Sequence, residues 1–287
     1  MGAHVLTEAL ETLQLAGLTL EALSIGGLET TLHLPRHKLA FDIARCPPPV
    51  VNRSLVFFTH GHMDHVGGIA YHCATRALRG MPPPTYVFPP SYLPDLERLF
   101  EAWRVIDRSE MPHRLHALRP GESYAVQRGL RVEPFRSYHT APAQGYAVVR
   151  SKQKLLPEHH GRPGHELQRL REEGVVLTRP VDEVEFAYCG DTTIEVIERE
   201  ELPRAARVLA LECTFVDERI PVDAARERGH VHLDEIAARA ELFSNDVLLL
   251  HHFSSRFTAT EIRAAIDQRL PAGLRERVVP LLGGHRG

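Results

Sequence analysis

Three histidines and an aspartate lie within six consecutive residues, His60 to His65. The apolar run Leu55–Thr59, which we predict to be a buried strand, leads directly into this segment. Because side chains alternate along extended backbone, His60 and His62 would face the same side, while Asp64 and His65 could serve a second ion nearby. A lone histidine is usually a structural residue. Here three imidazoles and a carboxylate lie close together in the sequence, and zinc accepts this mixture of ligands. The segment therefore predicts a metal site.

The string Thr59-His-Gly-His-Met-Asp-His65 resembles the signature of the metallo-β-lactamase superfamily. That resemblance implies an α/β fold, the αβ/βα four-layer sandwich, with residues 1–287 in a single domain. It also requires a further histidine, a bridging carboxylate and a last histidine, the latter two following strands. The segments Ser-Tyr-His139-Thr, Tyr-Cys-Gly-Asp191-Thr and Leu-His-His252-Phe supply these residues in the expected order.

The resemblance also implies the ligands of two divalent metal ions. One ion takes His60, His62 and His139, the other takes Asp64, His65 and His252, and Asp191 bridges the two. Zinc is expected, although similar ligands accept manganese or iron.

Two neighbouring choices accompany this ligand set. Asp42 matches the family's early aspartate at a strand end, and we expect it to orient ligand histidines rather than to bind metal. His251 and His252 face opposite sides of a predicted strand, so only one can be a ligand. The family pattern His-Phe-Ser-x-Arg-aromatic selects His252 and leaves His251 as the alternative.

Two further segments resemble tRNase Z, the endonuclease family that trims precursor tRNA at the 3′ end. They are Leu211-Glu212-Cys-Thr-Phe215 and Gly229-His230-Val-His232. The likeness implies that His230, held by Glu212, donates a proton to the leaving oxygen, and a neighbouring carboxylate favours the protonated imidazole. His232 is the alternative acid, and either histidine could instead be a capping or solvated residue before the helix predicted from Asp234.

The remaining likeness to tRNase Z lies in the end of the last metal motif and in an insert. His252-Phe-Ser-Ser-Arg256-Phe257 is close to the family's version of this motif. The region from Gly145 resembles the insert of the short, plant-type form, here a basic insert at about 150–180. RNA contacts are expected from its cations, Lys152, Lys154, Arg162, Arg169 and Arg171. The long Gly-Pro-rich arm of many bacterial members, which holds the tRNA elbow, is absent from the sequence.

The function implied by this likeness is a metal-dependent endoribonuclease acting on precursor tRNA. Water activated at the metals would attack the phosphorus after the discriminator nucleotide, with Asp64 orienting or deprotonating that water. The products would be a tRNA with a 3′-hydroxyl and a trailer with a 5′-phosphate. A small-molecule phosphodiesterase or other hydrolase on the same scaffold is the alternative, and a binding module without catalysis is a third hypothesis. A homodimer is expected from the family likeness alone.

Composition restricts the partners and the compartment. A formal net charge of -3 argues against a generic polyanion binder, so RNA contacts must be local. The four cysteines are widely spaced, which indicates neither a disulfide framework nor a cysteine-rich zinc site. Acidic residues interrupt the apolar runs at the N-terminus, and no stretch of about 18 apolar residues exists. We therefore expect a cytoplasmic protein with no signal peptide and no membrane span.

The elements that must position these residues alternate between short apolar strands and helices, as an α/β fold requires. The predicted strands are Thr30–Leu34, Leu39–Ile43, Leu55–Thr59, Thr85–Phe88, Val184–Tyr188, Val208–Leu211 and Val247–His251. The predicted helices are Asp95–Ile106, Asp234–Phe243 and Thr260–Leu270. Thr258 and Glu261 have the spacing of a capping box before the last helix.

Overall fold

The strands of the computed structural model, which describes residues 10–286, form two seven-stranded sheets. Across the first sheet the order is β1 (Glu11–Leu15), β2 (Leu18–Ile25), β3 (Glu29–Leu34), β4 (Leu39–Ile43), β5 (Leu55–Phe57), β6 (Thr85–Phe88) and β7 (Arg114–Ala117). Across the second it is β8 (Tyr124–Gln127), β9 (Leu130–Arg136), β10 (Gln144–Leu155), β11 (Thr178–Tyr188), β12 (Val208–Glu212), β13 (Val247–His251) and β14 (Val278–Pro280). Each sheet begins with antiparallel pairs and ends with four parallel strands, β4 to β7 and β11 to β14.

Several helices cover the outer faces of the two sheets. The helices within residues 10–286 are α1 (Met63–Val66), α2 (Ile69–Leu78), α3 (Leu93–Asp107), α4 (Gly164–Glu172), α5 (Glu195–Arg199), α6 (Glu201–Ala205), α7 (Val222–Glu227), α8 (Leu233–Ala237), α9 (Ala259–Arg269) and α10 (Ala272–Arg275). Buried side chains of α2 and α3 pack on β5 and β6, while those of α5, α8 and α9 pack on β12 and β13. The predicted αβ/βα four-layer sandwich is confirmed.

Between the sheets lies a core that contains a cluster of buried aromatic rings. Phe41 packs against Phe57, Tyr146, Phe186 and Tyr188, with ring centroids 5.7 to 6.1 Å apart. The strands beside this core are covered on both faces, and their sequences are therefore almost continuously apolar. Rigid packing of this kind fixes the strand ends, where the candidate site residues lie.

Most predicted elements are observed, and the capping box of α9 is confirmed. The helix predicted from Asp234 to Phe243 is wrong in its second half, because α8 ends at Ala237 and a 3-10 turn follows at Ala240–Leu242. Arg239 leaves helical geometry at φ -124° and ψ 25° between them. Its guanidinium binds Glu198, which fixes the chain in this non-helical course.

The insert at 150–180 is more regular than its sequence suggests. The strands β10 and β11 extend far beyond the predicted Val184–Tyr188 and pair as an antiparallel hairpin out to Leu155 and Thr178. The hairpin's outer half is charged rather than apolar, so the usual strand pattern is missing there. A short 3-10 turn and α4 form its tip.

Part of the N-terminal segment on which the signal-peptide prediction depends, residues 1–9, lies outside the described residues. Among residues 10–286 no helix is both long and apolar enough to cross a membrane.

Gly145 offers a test of how tightly the second sheet is packed. A Cβ added at this position would lie 2.3 Å from two ring carbons of Phe135 and 2.8 Å from the Tyr188 carbonyl oxygen. We expect Gly145→Ala to lower the free energy of unfolding by about 1–3 kcal/mol, because the ring must move within a packed core. Chemical denaturation at equal metal loading would measure the change. Gly164→Ala, where a Cβ meets no atom within 4 Å, is the matched control.

Candidate metal centre

The candidate ligands lie at the ends of strands that come from both sheets. β5 leads through Thr59 to His60, and α1 carries Asp64 and His65. In the second sheet, Asp191 follows β11 and His252 follows β13. Since neighbouring parallel strands end at the same edge, residues far apart in sequence meet in one cluster.

The structure brings together all seven residues predicted to bind metal. One group of donor atoms belongs to His60, His62, His139 and Asp191, and a second belongs to Asp64, His65, Asp191 and His252. Within each group the atoms lie within 4.8 Å of one another. These groups match the two predicted ligand sets, including the residue that they share.

Asp191 presents one oxygen to each group. Its Oδ2 lies 3.7 Å from His60 Nε2, while its Oδ1 lies 3.2 Å from His65 Nε2 and 3.4 Å from His252 Nε2. The carboxylate is buried, so its charge has little access to water. This geometry suits a carboxylate that bridges two cations.

The buried donor atoms also pass a test of fit for metal ions. His60 Nε2, His65 Nε2 and Asp191 Oδ1 are buried and make no hydrogen bond within the described part of the chain. An unsatisfied buried polar atom costs about 1–3 kcal/mol, which a bound cation would offset. Imidazole nitrogens and carboxylate oxygens that converge in this way are the ligand set that zinc accepts.

Charges within the cluster shift the pKa values of its members. Burial, helped by the neighbouring His65, lowers the pKa of His60 well below its ordinary value, which keeps a nitrogen lone pair available. Burial opposes protonation of His65, but Asp191 and Asp42 prevail and raise its pKa well above the ordinary value. Carboxylates that attract a proton to His65 also attract a cation, so protons and metal compete there.

Asp42 fixes the orientation of His65 from behind. Its carboxylate accepts hydrogen bonds from the Thr59 N–H and hydroxyl at 2.9 Å each, from His65 Nδ1 at 2.8 Å and from the Tyr188 hydroxyl at 2.7 Å. The residue is buried and has a positive φ of 50°. Four convergent donors can hold this sparsely populated backbone conformation. With Nδ1 engaged, His65 directs Nε2 toward the cluster.

Three of the other four candidate ligand histidines, all except His62, also have an orienting partner on Nδ1. Thr59 Oγ1 lies 3.0 Å from His60 Nδ1, the Gly229 carbonyl 2.9 Å from His139 Nδ1, and Thr214 Oγ1 3.0 Å from His252 Nδ1. Gly27 N–H donates to Asp64 at 3.0 Å. Sequence reasoning missed Thr59, Tyr188, Thr214 and Gly27 as orienting groups. Of these four residues, only Thr59 and Tyr188 could have been predicted, because they stand beside metal motifs in the sequence.

The structure separates the paired histidines that the sequence left open. His251 is buried, its Nδ1 lies 3.2 Å from Ser24 Oγ, and burial lowers its pKa to about 3. His252 turns toward the donor cluster from a backbone with φ 60°. His232 caps α8, since its Nδ1 accepts the Asp234 N–H at 3.1 Å. The proton-donor prediction therefore concerns His230.

His230 stands at the rim of the cluster and is held by a buried carboxylate. Its Nδ1 lies 2.8 Å from Glu212 Oε1, and its ring centroid is 5.5 Å from that of His252. Glu212 also accepts hydrogen bonds from Thr192 and Thr214. Burial opposes protonation, but the Glu212 carboxylate outweighs it and raises the pKa of His230 to about 9. Nearby cations would oppose that increase.

The predicted RNA-binding cations of the insert have unequal surroundings. Lys152 pairs with Glu183, Arg162 with Glu166 and Arg169 with Glu173. Lys154 and Arg171 are exposed, and neither forms an ion pair with any residue from 10 to 286. The free positive charge of the insert is therefore smaller than its composition suggests.

Comparison with known proteins identifies the family of this chain. Residues 41–253 match the model of the β-lactamase superfamily domain. The tRNase Z TRZ1 of Arabidopsis thaliana is 40% identical over 279 residues, which cover 96% of this chain and 99% of that protein. The chain belongs to the tRNase Z family. A second relative, the chloroplastic tRNase Z TRZ2 of Arabidopsis thaliana, is 34% identical over 95% of this chain and 77% of its own length.

Two solved structures with lower identity share the fold of this chain. The short form of human tRNase Z superposes with a TM-score of 0.52 at 20% identity, covering 84% of this chain and 87% of that one. The metallo-β-lactamase fold protein YhfI from Bacillus subtilis gives a TM-score of 0.62 at 12% identity, covering 91% and 94%. At these identities the likeness concerns the fold alone.

Asp42 provides a test of the metal centre that leaves every candidate ligand in place. We expect Asp42→Asn to weaken metal affinity about 10- to 100-fold, because an amide cannot accept from all four donors that now fix His65 and Thr59. Competition with a chelator, read by elemental analysis, would measure the affinity. Tyr188→Phe removes only one of the four hydrogen bonds and should have a smaller effect. Wild-type affinity in Asp42→Asn would contradict the orienting role.

Proposed function

We propose that this protein is a metal-dependent endoribonuclease that cleaves precursor tRNA at its 3′ end. The tRNA would keep a 3′-hydroxyl and the trailer a 5′-phosphate. The observation that carries the proposal is the Glu212–His230 pair, 2.8 Å apart, standing beside both donor groups. A proton donor placed next to a candidate two-metal site suits the departure of a ribose 3′ oxygen, which is a poor leaving group.

The seven clustered residues would hold two divalent cations, which we propose to be zinc. His60, His62 and His139 would bind one, Asp64, His65 and His252 the other, and Asp191 both. Such cations supply Lewis-acid polarisation of the scissile phosphate and acidify water. Manganese or iron would fit similar ligands, and availability often decides between them.

The protein's own proton chemistry would divide between His230 and Asp64. The buried Glu212 carboxylate accepts a hydrogen bond from His230 Nδ1–H, which leaves Nε2–H to protonate the 3′ oxygen. Burial opposes ionisation of Asp64, but the nearby His252 and His65 lower its pKa to about 2. A carboxylate with so low a pKa is a weak base. Asp64 would therefore orient the attacking water rather than hold a proton taken from that water.

We further propose that residues 1–287 form one hydrolase domain that acts as a homodimer in the cytoplasm. The one-domain proposal is supported by the core that the two sheets share. The homodimer follows from the family likeness. The four free, buried cysteines suit a reducing compartment.

The decisive experiment is cleavage of a precursor tRNA with mapped product ends. We expect His230→Ala to reduce kcat about 10²- to 10⁴-fold, because a positioned general acid contributes that much. Its metal content should equal that of the wild-type protein. His232→Asn is a matched control, since asparagine is also a good helix N-cap and activity should persist. Loss of metal in His230→Ala would instead make His230 a ligand.

The insert generates a separate expectation about tRNA binding. Lys154→Ala combined with Arg171→Ala should raise KM for precursor tRNA. It should also reduce the slope of log binding constant against log salt concentration by about one for each lost contact. The ion-paired residues Arg162 and Arg169, replaced together, should have a weaker effect because their charges are partly neutralised. Hydrolysis of bis(4-nitrophenyl) phosphate is the control and should be unchanged in both double variants. Equal effects on KM would contradict the distinction.

A further inference from the structure

One tyrosine contacts both of the loops that carry His62 and His139. The Tyr92 hydroxyl donates a hydrogen bond of 2.8 Å to the carbonyl oxygen of Pro142, which follows His139 by three residues. The ring of the same tyrosine lies against Gly61, the residue just before His62. A single half-buried side chain therefore connects two candidate ligand loops that are far apart in sequence.

The contact between the Tyr92 ring and Gly61 leaves no room for a side chain on the glycine. A Cβ added to Gly61 would lie 2.6 Å from Cε1 of the ring and 3.2 Å from Cδ1 and Cζ. Gly61 is not among the glycines with positive φ, so the ring rather than the backbone conformation requires glycine here. The ring and the backbone before His62 therefore cannot move independently.

Tyr92 is itself held by the elements around it. It ends the 3-10 turn Pro90–Tyr92, and α3 begins at the next residue. The prolines of this turn restrict its backbone, and the Phe88 ring centroid lies 6.1 Å from that of Tyr92. Burial raises the pKa of Tyr92, so the hydroxyl keeps its proton at neutral pH and can donate a hydrogen bond. The tyrosine therefore contacts the two loops from a rigid support.

His62 depends on such a support more than its neighbours do. Its ring is exposed, and its Nδ1 lies 3.3 Å from His139 Nε2 inside the donor cluster. Among residues 10–286, no hydrogen bond joins the His62 ring to a group outside the cluster, whereas His60 and His139 each have one. The direction of His62 is therefore set by its backbone, which rests on the Tyr92 ring.

Of the two proposed ions, we call the one assigned to His60, His62 and His139 the first ion. We propose that Tyr92 is a positioning residue for this first ion. Its ring supports the backbone that carries His62, and its hydroxyl holds the loop that follows His139. The inference rests on the proposed function, because it assumes that two ions are bound. It assigns no contact with RNA to Tyr92.

The second ion, assigned to Asp64, His65 and His252, has different orienting groups. The Thr214 hydroxyl oxygen lies 3.0 Å from His252 Nδ1, and the other hydrogen bonds of Thr214 go to Glu212. A change at Tyr92 should therefore weaken the first ion, and a change at Thr214 should weaken the second.

Metal affinity in Tyr92 variants tests the proposal. Tyr92→Phe keeps the ring but removes the hydrogen bond to Pro142, while Tyr92→Ala removes both contacts. We expect the affinity for one zinc ion per chain to fall about tenfold in Tyr92→Phe, as for other residues that orient ligands, and further in Tyr92→Ala. Competition with a chelator, read by elemental analysis, would measure the affinity. Anomalous diffraction at the zinc absorption edge would show which ion is lost.

Unchanged affinity for both ions would overturn the proposal, and so would loss of the second ion or equal loss of both. Tyr71→Phe is the matched control, because it removes the hydroxyl of an exposed tyrosine on α2 and should leave both affinities unchanged. Thr214→Val is the reciprocal variant and should weaken only the second ion.

A double-mutant cycle tests the contact between the ring and the glycine. Gly61→Ala should also weaken the first ion, because the added Cβ displaces the Tyr92 ring. When Gly61→Ala is combined with Tyr92→Ala, the loss should be smaller than the sum of the two separate losses, since the two residues are in contact. Additive losses would contradict a role for this contact.

Cleavage of precursor tRNA separates positioning from catalysis. At limiting zinc, kcat of Tyr92→Phe should fall below that of wild type. At saturating zinc it should return to within about twofold of wild type with KM unchanged, because Tyr92 makes no interaction that is specific to the transition state. A kcat that stays low at full zinc occupancy would overturn the proposal.

Failure of the proposed function and failure of this inference give different results. Wild-type protein that binds no transition metal would refute the proposed two-ion function. Two bound ions in the wild type, with unchanged affinities in Tyr92→Phe and Tyr92→Ala, would refute only the role of Tyr92.

Discussion

The buried carboxylate of Asp191 is the group on which the candidate site depends. It lies between imidazole rings contributed by segments that are far apart in sequence, and its two oxygens face different histidines. A charge in this position has little access to water, so it must be compensated by protons or by cations. Several of the surrounding imidazole rings already have a hydrogen-bond partner on Nδ1, which leaves Nε2 of the same ring free for metal.

The same interactions connect the site to the fold. Asp42 lies near the C-terminal end of β4 in the first sheet, and it accepts a hydrogen bond of 2.7 Å from the hydroxyl of Tyr188 in the second sheet. A hydrogen bond across the inter-sheet core thus fixes a ligand histidine and joins the two layers. Positive φ values at Asp42 and His252 place backbone strain at the site, where the surrounding sheets can hold it.

Electrostatic design in this protein is local rather than global. The net charge is slightly negative, and three of the five predicted RNA-binding cations of the insert have carboxylate partners. The exposed side chains of Arg136 and Arg228, which form no ion pair within residues 10–286, lie instead in the grooves that are lined by His139 and His252. Long-range attraction of RNA would therefore be modest, and binding would depend on contacts made near the scissile phosphate. Because the sequence lacks the long bacterial arm, free positive charge would be most useful for RNA binding near the scissile phosphate.

The amino-acid sequence by itself determined the types of ligand and the elements that carry them. The contiguous segment His60 to His65 and the apolar strands before it follow local rules of alternation and burial, which is why they could be predicted. The family likeness then supplied His139, Asp191 and His252. The capping box of α9 was also readable, because it depends on two residues only three positions apart.

Tertiary structure alone decided the features that depend on partners from other strands. The family pattern selected His252 over His251, but only the structure gives the physical reason: the backbone reverses to φ 60° just after β13 and turns His252 toward the cluster. The hairpin of β10 and β11 is stabilised by cross-strand charged pairs, so its outer half lacks the apolar alternation that indicates a strand. Ion pairs with carboxylates from other segments likewise determine which lysine and arginine side chains keep a free positive charge. Side-chain direction and charge compensation are properties of neighbours in space, and only the folded chain supplies those neighbours.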